Sequence, residues 1–345
     1  MLANLNGTKP VVPSTPVAQD LVHDLRDFDK FEGWDDQIPN EVTLDLAFTQ
    51  KRRIRILDRQ DYGFSIDGFG EAVVGGVLLG AATSMSGTIV SLTSALDGNA
   101  SLAFSNGIGG IAAQTAFLAF ADMIYRRANL EHAAAELANL FQCGLLLLLL
   151  SVPFVAYSAP EFTIWAIHPA SIALFGFYAV GVYATSELRD DPMWKPVETV
   201  EYRPDEPEDD QEPNRRARGL VILFVGLMLI MGTAGWAVAR IAEEMIARFG
   251  LSSSIVGALM TAVVTSLPEL VTTLAAVRRG ALQLAVGGII GGNTFDTLFL
   301  TVSDLAYRDG SLYHAVGRAD LFWLVVGLVL TAILTLGQLY RQRHG

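Results

Sequence analysis

The chain has 345 residues, of which 51% are hydrophobic and 17% charged, with a mean hydropathy of +0.38. That balance excludes an ordinary soluble enzyme, whose core cannot absorb so much apolar surface. A formal net charge of −12 and the lack of a basic, aromatic-interleaved surface argue against nucleic acid, and the single cysteine, Cys143, excludes an internal disulfide and a cysteine-based metal site.

In chain order, residues 1–67 are polar and rich in acids, and they lack the charged-then-apolar pattern of a signal peptide. Apolar runs follow near 69–95, 101–124, 137–158 and 164–186. An acidic, Pro-rich stretch at 187–218 cannot bury enough apolar area to fold by itself. Four more runs lie near 219–245, 251–277, 281–305 and 319–340, before a basic tail at 341–345. Runs of this length cross roughly 30 Å of hydrocarbon at about 1.5 Å per residue. The expected fold is an all-α polytopic membrane protein of about eight spans in two halves, 68–186 and 219–340.

Basic residues alternate across the loops. One side receives Lys51, Arg52, Arg53 and Arg55, then Arg126 and Arg127, Arg215, Arg216 and Arg218, Arg278 and Arg279, and Arg341 with Arg343; the other keeps Arg248, Arg308 and Arg318. Cytoplasmic loops are the Lys/Arg-rich ones, so both termini and the acidic linker are expected in the cytoplasm, with the spans in the inner (plasma) membrane. Nothing in the pattern addresses oligomeric state.

Sliding the sequence on itself by 182 residues aligns Gly75–His132 with Gly257–His314 without a gap, with identity at 18 of 58 positions. About 6 are expected from so biased a composition. The internal turn reads Leu96-Asp97-Gly98 in the first copy and Arg278-Arg279-Gly280 in the second. By the charge rule the two turns face opposite sides, which makes an inverted-topology repeat, an arrangement that places a transport site near the midplane between the copies.

The second copy holds Thr265-Ser266-Leu267-Pro268-Glu269-Leu270 in mid-span. A carboxylate there is costly and points to function. Pro268 lacks a backbone donor and collides with the carbonyl of Val264, so the helix is expected to open, while Thr265 and Glu269 share a face. The next span supplies Gly291-Gly292-Asn293-Thr294-Phe295-Asp296, adding amide and carboxylate oxygens. These are the hard ligands that Ca²⁺, Na⁺ or a proton site uses. Asn293 also suits a plain helix-to-helix hydrogen bond, and Asp304 falls near a span end, where water is expected to meet it.

Together these residues resemble the second alpha repeat of the sodium/calcium exchanger superfamily, the cation/calcium antiporters, and the resemblance covers residues 70 to 340 approximately. It implies that Thr265, Ser266, Glu269 and Asp296 line a cation site. Gly288 and Gly292 depart from the family's usual Gly-Asn-x-x-Gly-Ser-Asn form. In the first copy the family's Thr-Ser-Leu-Pro-Glu is replaced by Thr83-Ser84-Met85-Ser86-Gly87, so its carboxylate is absent, while Thr83, Ser84 and Asn106 keep polar oxygens and Gln114 aligns with Asp296. The family implies ten helices; this chain shows eight, without the first and the last.

The reading is a secondary antiporter that exchanges Ca²⁺ or another cation for Na⁺ or H⁺ by alternating access, with no cofactor, no catalysis, and inorganic cations and the lipid bilayer as its partners. The alternative is a degenerate homologue that binds an ion or a partner without transport. The missing carboxylate and helices favour it; Glu269 and Asp296 oppose it. An intramembrane aspartyl protease built on Asp296 lacks the Gly-x-Gly-Asp context.

Overall fold

The computed structural model describes residues 80–190 and 217–341, with 43–45, 53–55, 192, 194, 195 and 199. The chain divides into two compact units, Met1–Ser65 and Ile66–Gly345. In the first, β1 (Thr43–Asp45) pairs antiparallel with β2 (Arg53–Arg55), Leu44 opposite Ile54. This short ladder is an addition to the all-helical expectation and lies outside the apolar runs.

The second unit is helical. Its first half contains α1 (Met85–Leu96), α2 (Ala100–Ile124), the short α3 (Leu130–Ala133), α4 (Leu137–Ser158) and α5 (Pro169–Asp190). The second half contains α6 (Ala217–Phe249), α7 (Ser253–Thr265), α8 (Leu267–Arg279), α9 (Leu282–Asp296), α10 (Leu298–Ala306), the short α11 (Leu312–Ala315) and α12 (Arg318–Tyr340). Among the described residues six helices are long and apolar enough to cross a membrane, with Leu282–Ala306 as one of them, or seven if the bent pair α7–α8 is a single span. The first expected span is described only from residue 80, where a helical turn precedes α1.

Several expected boundaries move, among them the end of α6, which falls at Phe249 rather than 245. The fourth span begins at Pro169 rather than 164, because Ile164–Ile167 closes a tight turn with Trp165 and Ala166 at φ 54° and 65°. Proline, having no donor to offer, fits the first helical turn. The linker shrinks from both ends, since α5 runs on to Asp190 and α6 starts at Ala217.

Helix α2 is the hub. It packs against α1, α7, α9, α10 and α12. The crossing with α7 is so close that a Cβ on Gly109 would lie 2.5 Å from the Ala258 backbone, which only glycine permits. At the periphery, α6 turns Ile222, Leu223, Val225, Leu227, Leu229 and Ile230 outward. In water such a face is a liability; in a bilayer it is the lipid-facing wall.

The spacing of 182 recurs as geometry. Helix breaks fall at Ser84 (φ −85°, ψ 4°) and at Ser266 (φ −92°, ψ 2°). The turns after α1 and α8 each use a left-handed glycine, Gly98 (φ 80°) and Gly280 (φ 81°). Asp122 Oδ1 accepts from the Leu130 amide at 2.6 Å, and Asp304 Oδ1 from the Leu312 amide at 3.1 Å, so each copy ends in the same carboxylate-tethered short helix, α3 or α11.

Candidate functional site

The site assembles where the two breaks meet the end of α9. Helices α7 and α8 bend by 43° at Ser266, and Pro268 occupies the first turn of α8, where a missing N–H costs nothing. Glu269 follows it and is 4% exposed. Asp296, 2% exposed, ends α9 one residue before the Thr297 junction.

Asp296 is gripped from the first copy. Ser84 Oγ donates to its Oδ1 at 2.6 Å, and Gln114 Nε2 donates to its Oδ2 at 2.6 Å. Thr83 and Ser84 also neighbour the Glu269 side chain, so Ser84 is close to both carboxylates. Ser266 Oγ and Asp296 Oδ2 both border Gly110, where an added Cβ would lie 3.5 Å from each. The structure therefore brings Thr83, Ser84, Gln114, Ser266, Glu269 and Asp296 into one cluster.

The other three expected ligands are placed differently. Asn106 is spent on structure: its Nδ2 donates to Gly87 O at 3.0 Å and Ser91 Oγ at 2.9 Å, and its Oδ1 accepts from Thr261 Oγ1 at 2.7 Å. The Thr265 hydroxyl turns back to its own helix, donating to Thr261 O at 2.9 Å, while its carbonyl accepts from Ser86 Oγ at 3.3 Å. Asn293 Nδ2 donates to Thr115 Oγ1 at 3.0 Å, a helix-to-helix bond. Ser91, Thr115 and Thr261 went unnoticed in the sequence because hydroxyl residues in apolar spans carry no pattern of their own. Thr115 alone had a signal, its identity with Thr297 in the repeat.

In and beside the cluster, three buried acceptor atoms have no hydrogen-bond partner among the described residues: Glu269 Oε2 and Gln114 Oε1 in the cluster, and Asn293 Oδ1 one helical turn before Asp296. Each is an oxygen, and neither carboxylate enters an ion pair among the described residues. Buried carboxylates of this kind require a proton or a cation as counter-charge. Among the described residues no group of three or more His, Cys, Asp or Glu converges. A cation here would thus rest on two carboxylates supplemented by neutral oxygens, a set suited to hard ions.

Asp304 departs from expectation. It is fully buried and accepts from His168 N at 2.8 Å, Ser171 Oγ at 2.6 Å and Leu312 N at 3.1 Å. Its carboxylate closes the loop before α5 and the start of α11 instead of meeting water.

Comparison with known proteins decides the family. The sequence model of the sodium/calcium exchanger protein family matches residues 64–186 and 218–342. The chain belongs to that family. A second match, to the outer membrane protein LpxR over residues 16–90, covers a minority of the chain. Among individual proteins, this member of the exchanger family is 29% identical over 154 residues to "Putative antiporter CaxA" of Alkalimonas amylolytica, covering 44% of this chain and 45% of that one. It is 32% identical over 122 residues to "Inner membrane protein YrbG" of Escherichia coli (strain K12), covering 35% and 37%. The chain thus spans less than half the length of these curated relatives. In fold it resembles the sodium-calcium exchanger NCX_Mj soaked with Na⁺ and Sr²⁺, with a TM-score of 0.51 at 17% identity over 78% of this chain and 80% of that one. Membership, together with the six or seven candidate spans among the described residues, makes the chain a multi-pass membrane protein of that family.

Proposed function

We propose that this exchanger-family chain is a secondary active antiporter that moves Ca²⁺ or another cation against Na⁺ or H⁺, by alternating access to a midplane site between two oppositely oriented repeats. The observation that carries the reading is Ser84 of the first repeat bonded to the buried Asp296 of the second and close to the buried Glu269, with no ion pair to either carboxylate and no partner for Glu269 Oε2 among the described residues. Such a site alternates between protons and metal cations as its counter-charge, which is what coupled exchange requires. The cations are cargo, and their gradients supply the driving force without a cofactor. Both termini and the linker lie in the cytoplasm in this reading, and the spans in the plasma membrane, because the basic loops fall on one side.

The test is flux. Purified protein in liposomes, loaded with a Ca²⁺-sensitive dye and given an outward Na⁺ or H⁺ gradient, is expected to admit Ca²⁺ only while a gradient exists. Binding of cation without flux under either gradient would instead support a non-transporting homologue.

A further inference from the structure

Gly87 is the first-repeat counterpart of Glu269, and the place that a side chain on it would take is already filled. A Cβ on Gly87 would lie 2.7 Å from Phe299 Cε2 and 3.1 Å from its Cζ, with Thr265 Oγ1 at 3.6 Å. Phe299 is 3% exposed and sits on α10 one helical turn beyond Asp296, so both side chains project toward the same region. Its own Cβ would come within 3.3 Å of a Cβ on Gly107, and its ring stands edge-on to Phe295 at 6.5 Å.

The backbone at Gly87 is held in place. The Gly87 carbonyl is held by Asn106 Nδ2 at 3.0 Å, and the adjoining Ser86 hydroxyl is bonded to Thr265 O. The ring presents its C–H edge to Gly87, the positive end of the aromatic quadrupole. It offers no lone pair, and it raises the cost of placing a second cation beside it.

We propose that Phe299 is the specificity-determining residue of the site: it fills the position of a first-repeat ligand and confines the site to one divalent cation held on the Glu269–Asp296 side. This rests on the cation-site reading above. On this reading Gly87→Glu alone is not expected to restore a symmetric pair of carboxylates, since the new side chain meets the ring first.

The experiment measures ⁴⁵Ca²⁺ binding in detergent for wild type, Gly87→Glu, Phe299→Ala and the double variant, with Phe299→Leu as a milder change and monodispersity checked for each. Wild type is expected to bind one Ca²⁺. Gly87→Glu is expected to weaken binding by about tenfold, and Phe299→Ala in that background to recover at least that factor. Phe299→Leu alone is expected to favour Sr²⁺ and Ba²⁺ relative to Ca²⁺, and this arm decides if the glutamate variants do not fold. Gly87→Glu binding as tightly as wild type, a double variant no better than Gly87→Glu, or an unchanged ion preference in Phe299→Leu would each overturn the role of Phe299. Wild type that binds no cation would instead sink the cation-site reading, and this proposal with it.

Discussion

Ser84 Oγ lies 2.6 Å from Asp296 Oδ1 although the two residues are 212 positions apart, so the break that leads the first repeat is fastened to the end of α9 in the second. Ser84→Ala removes one of the two side-chain donors that this buried carboxylate has among the described residues, the other being Gln114. The cost is about 1–3 kcal/mol, the usual penalty for stripping a buried charged group of a partner. We expect a lower denaturation temperature in ion-free detergent, partly recovered by saturating Ca²⁺ or Na⁺, because ligand bound to the native state stabilises it. Ser84→Thr, which keeps the hydroxyl, is expected to lose less. An alanine variant that melts like wild type, with no response to ions, would contradict this.

Asp304 separates structure from function within the same repeat. Its three donors, His168 N, Ser171 Oγ and Leu312 N, all need an acceptor, and Asn offers one oxygen where the carboxylate offers two. Asp304→Asn is therefore expected to cost about 1–3 kcal/mol of stability, with cation affinity unchanged, since none of these partners belongs to the Ser84–Asp296 cluster. Paired melting and ⁴⁵Ca²⁺ titration check it. Altered affinity with unaltered melting would reassign Asp304 to the site.

The helices were legible because a bilayer leaves no water for the backbone, so each span must be a long apolar helix, and α2, α4 and α12 fell close to their expected limits. The repeat was legible because both copies face the same packing problem. Pro268 and Glu269 announced the second break, whereas the break at Ser84 has no proline to mark it. What the sequence concealed depends on distant partners. Whether Asp304 meets water is decided by His168 and Ser171, and what faces Gly87 is a ring from the other repeat. Asn106 and Thr265 read as ligands by residue type, but their bonds go to protein groups. The β1–β2 ladder carries the period-2 alternation of strands, in Val42-Thr43-Leu44-Asp45-Leu46 and Arg53-Ile54-Arg55-Ile56, but each stretch is too short to stand out beside the long apolar runs.

A pH-dependent term comes from Glu131 in α3, between spans. Burial, then the negative charge of Asp122, hold its carboxyl above the ordinary glutamate value of 4.5. A carboxyl whose folded pKa is raised binds its proton more tightly folded than unfolded. Its contribution to stability is present in full below the unfolded value and is lost as pH rises through the folded one. Glu131→Gln stays neutral throughout, so relative to wild type it is expected to gain thermal stability at pH 7 and to show little difference near pH 4. Melting curves across that range test the sign, and a variant less stable than wild type at pH 7 would refute it.

Glu269→Gln tests the central claim most directly. Glutamine keeps nearly the same volume and can hydrogen-bond, so packing is expected to survive, but the charge that requires a counter-ion is gone. The measurement is ⁴⁵Ca²⁺ and ²²Na⁺ binding to purified wild type and Glu269→Gln in detergent, with melting curves to confirm that both are folded. The account predicts saturable binding of at least one of the two ions to wild type and none to the folded variant. Wild type that binds neither ion, or a variant that binds as wild type does, would contradict it.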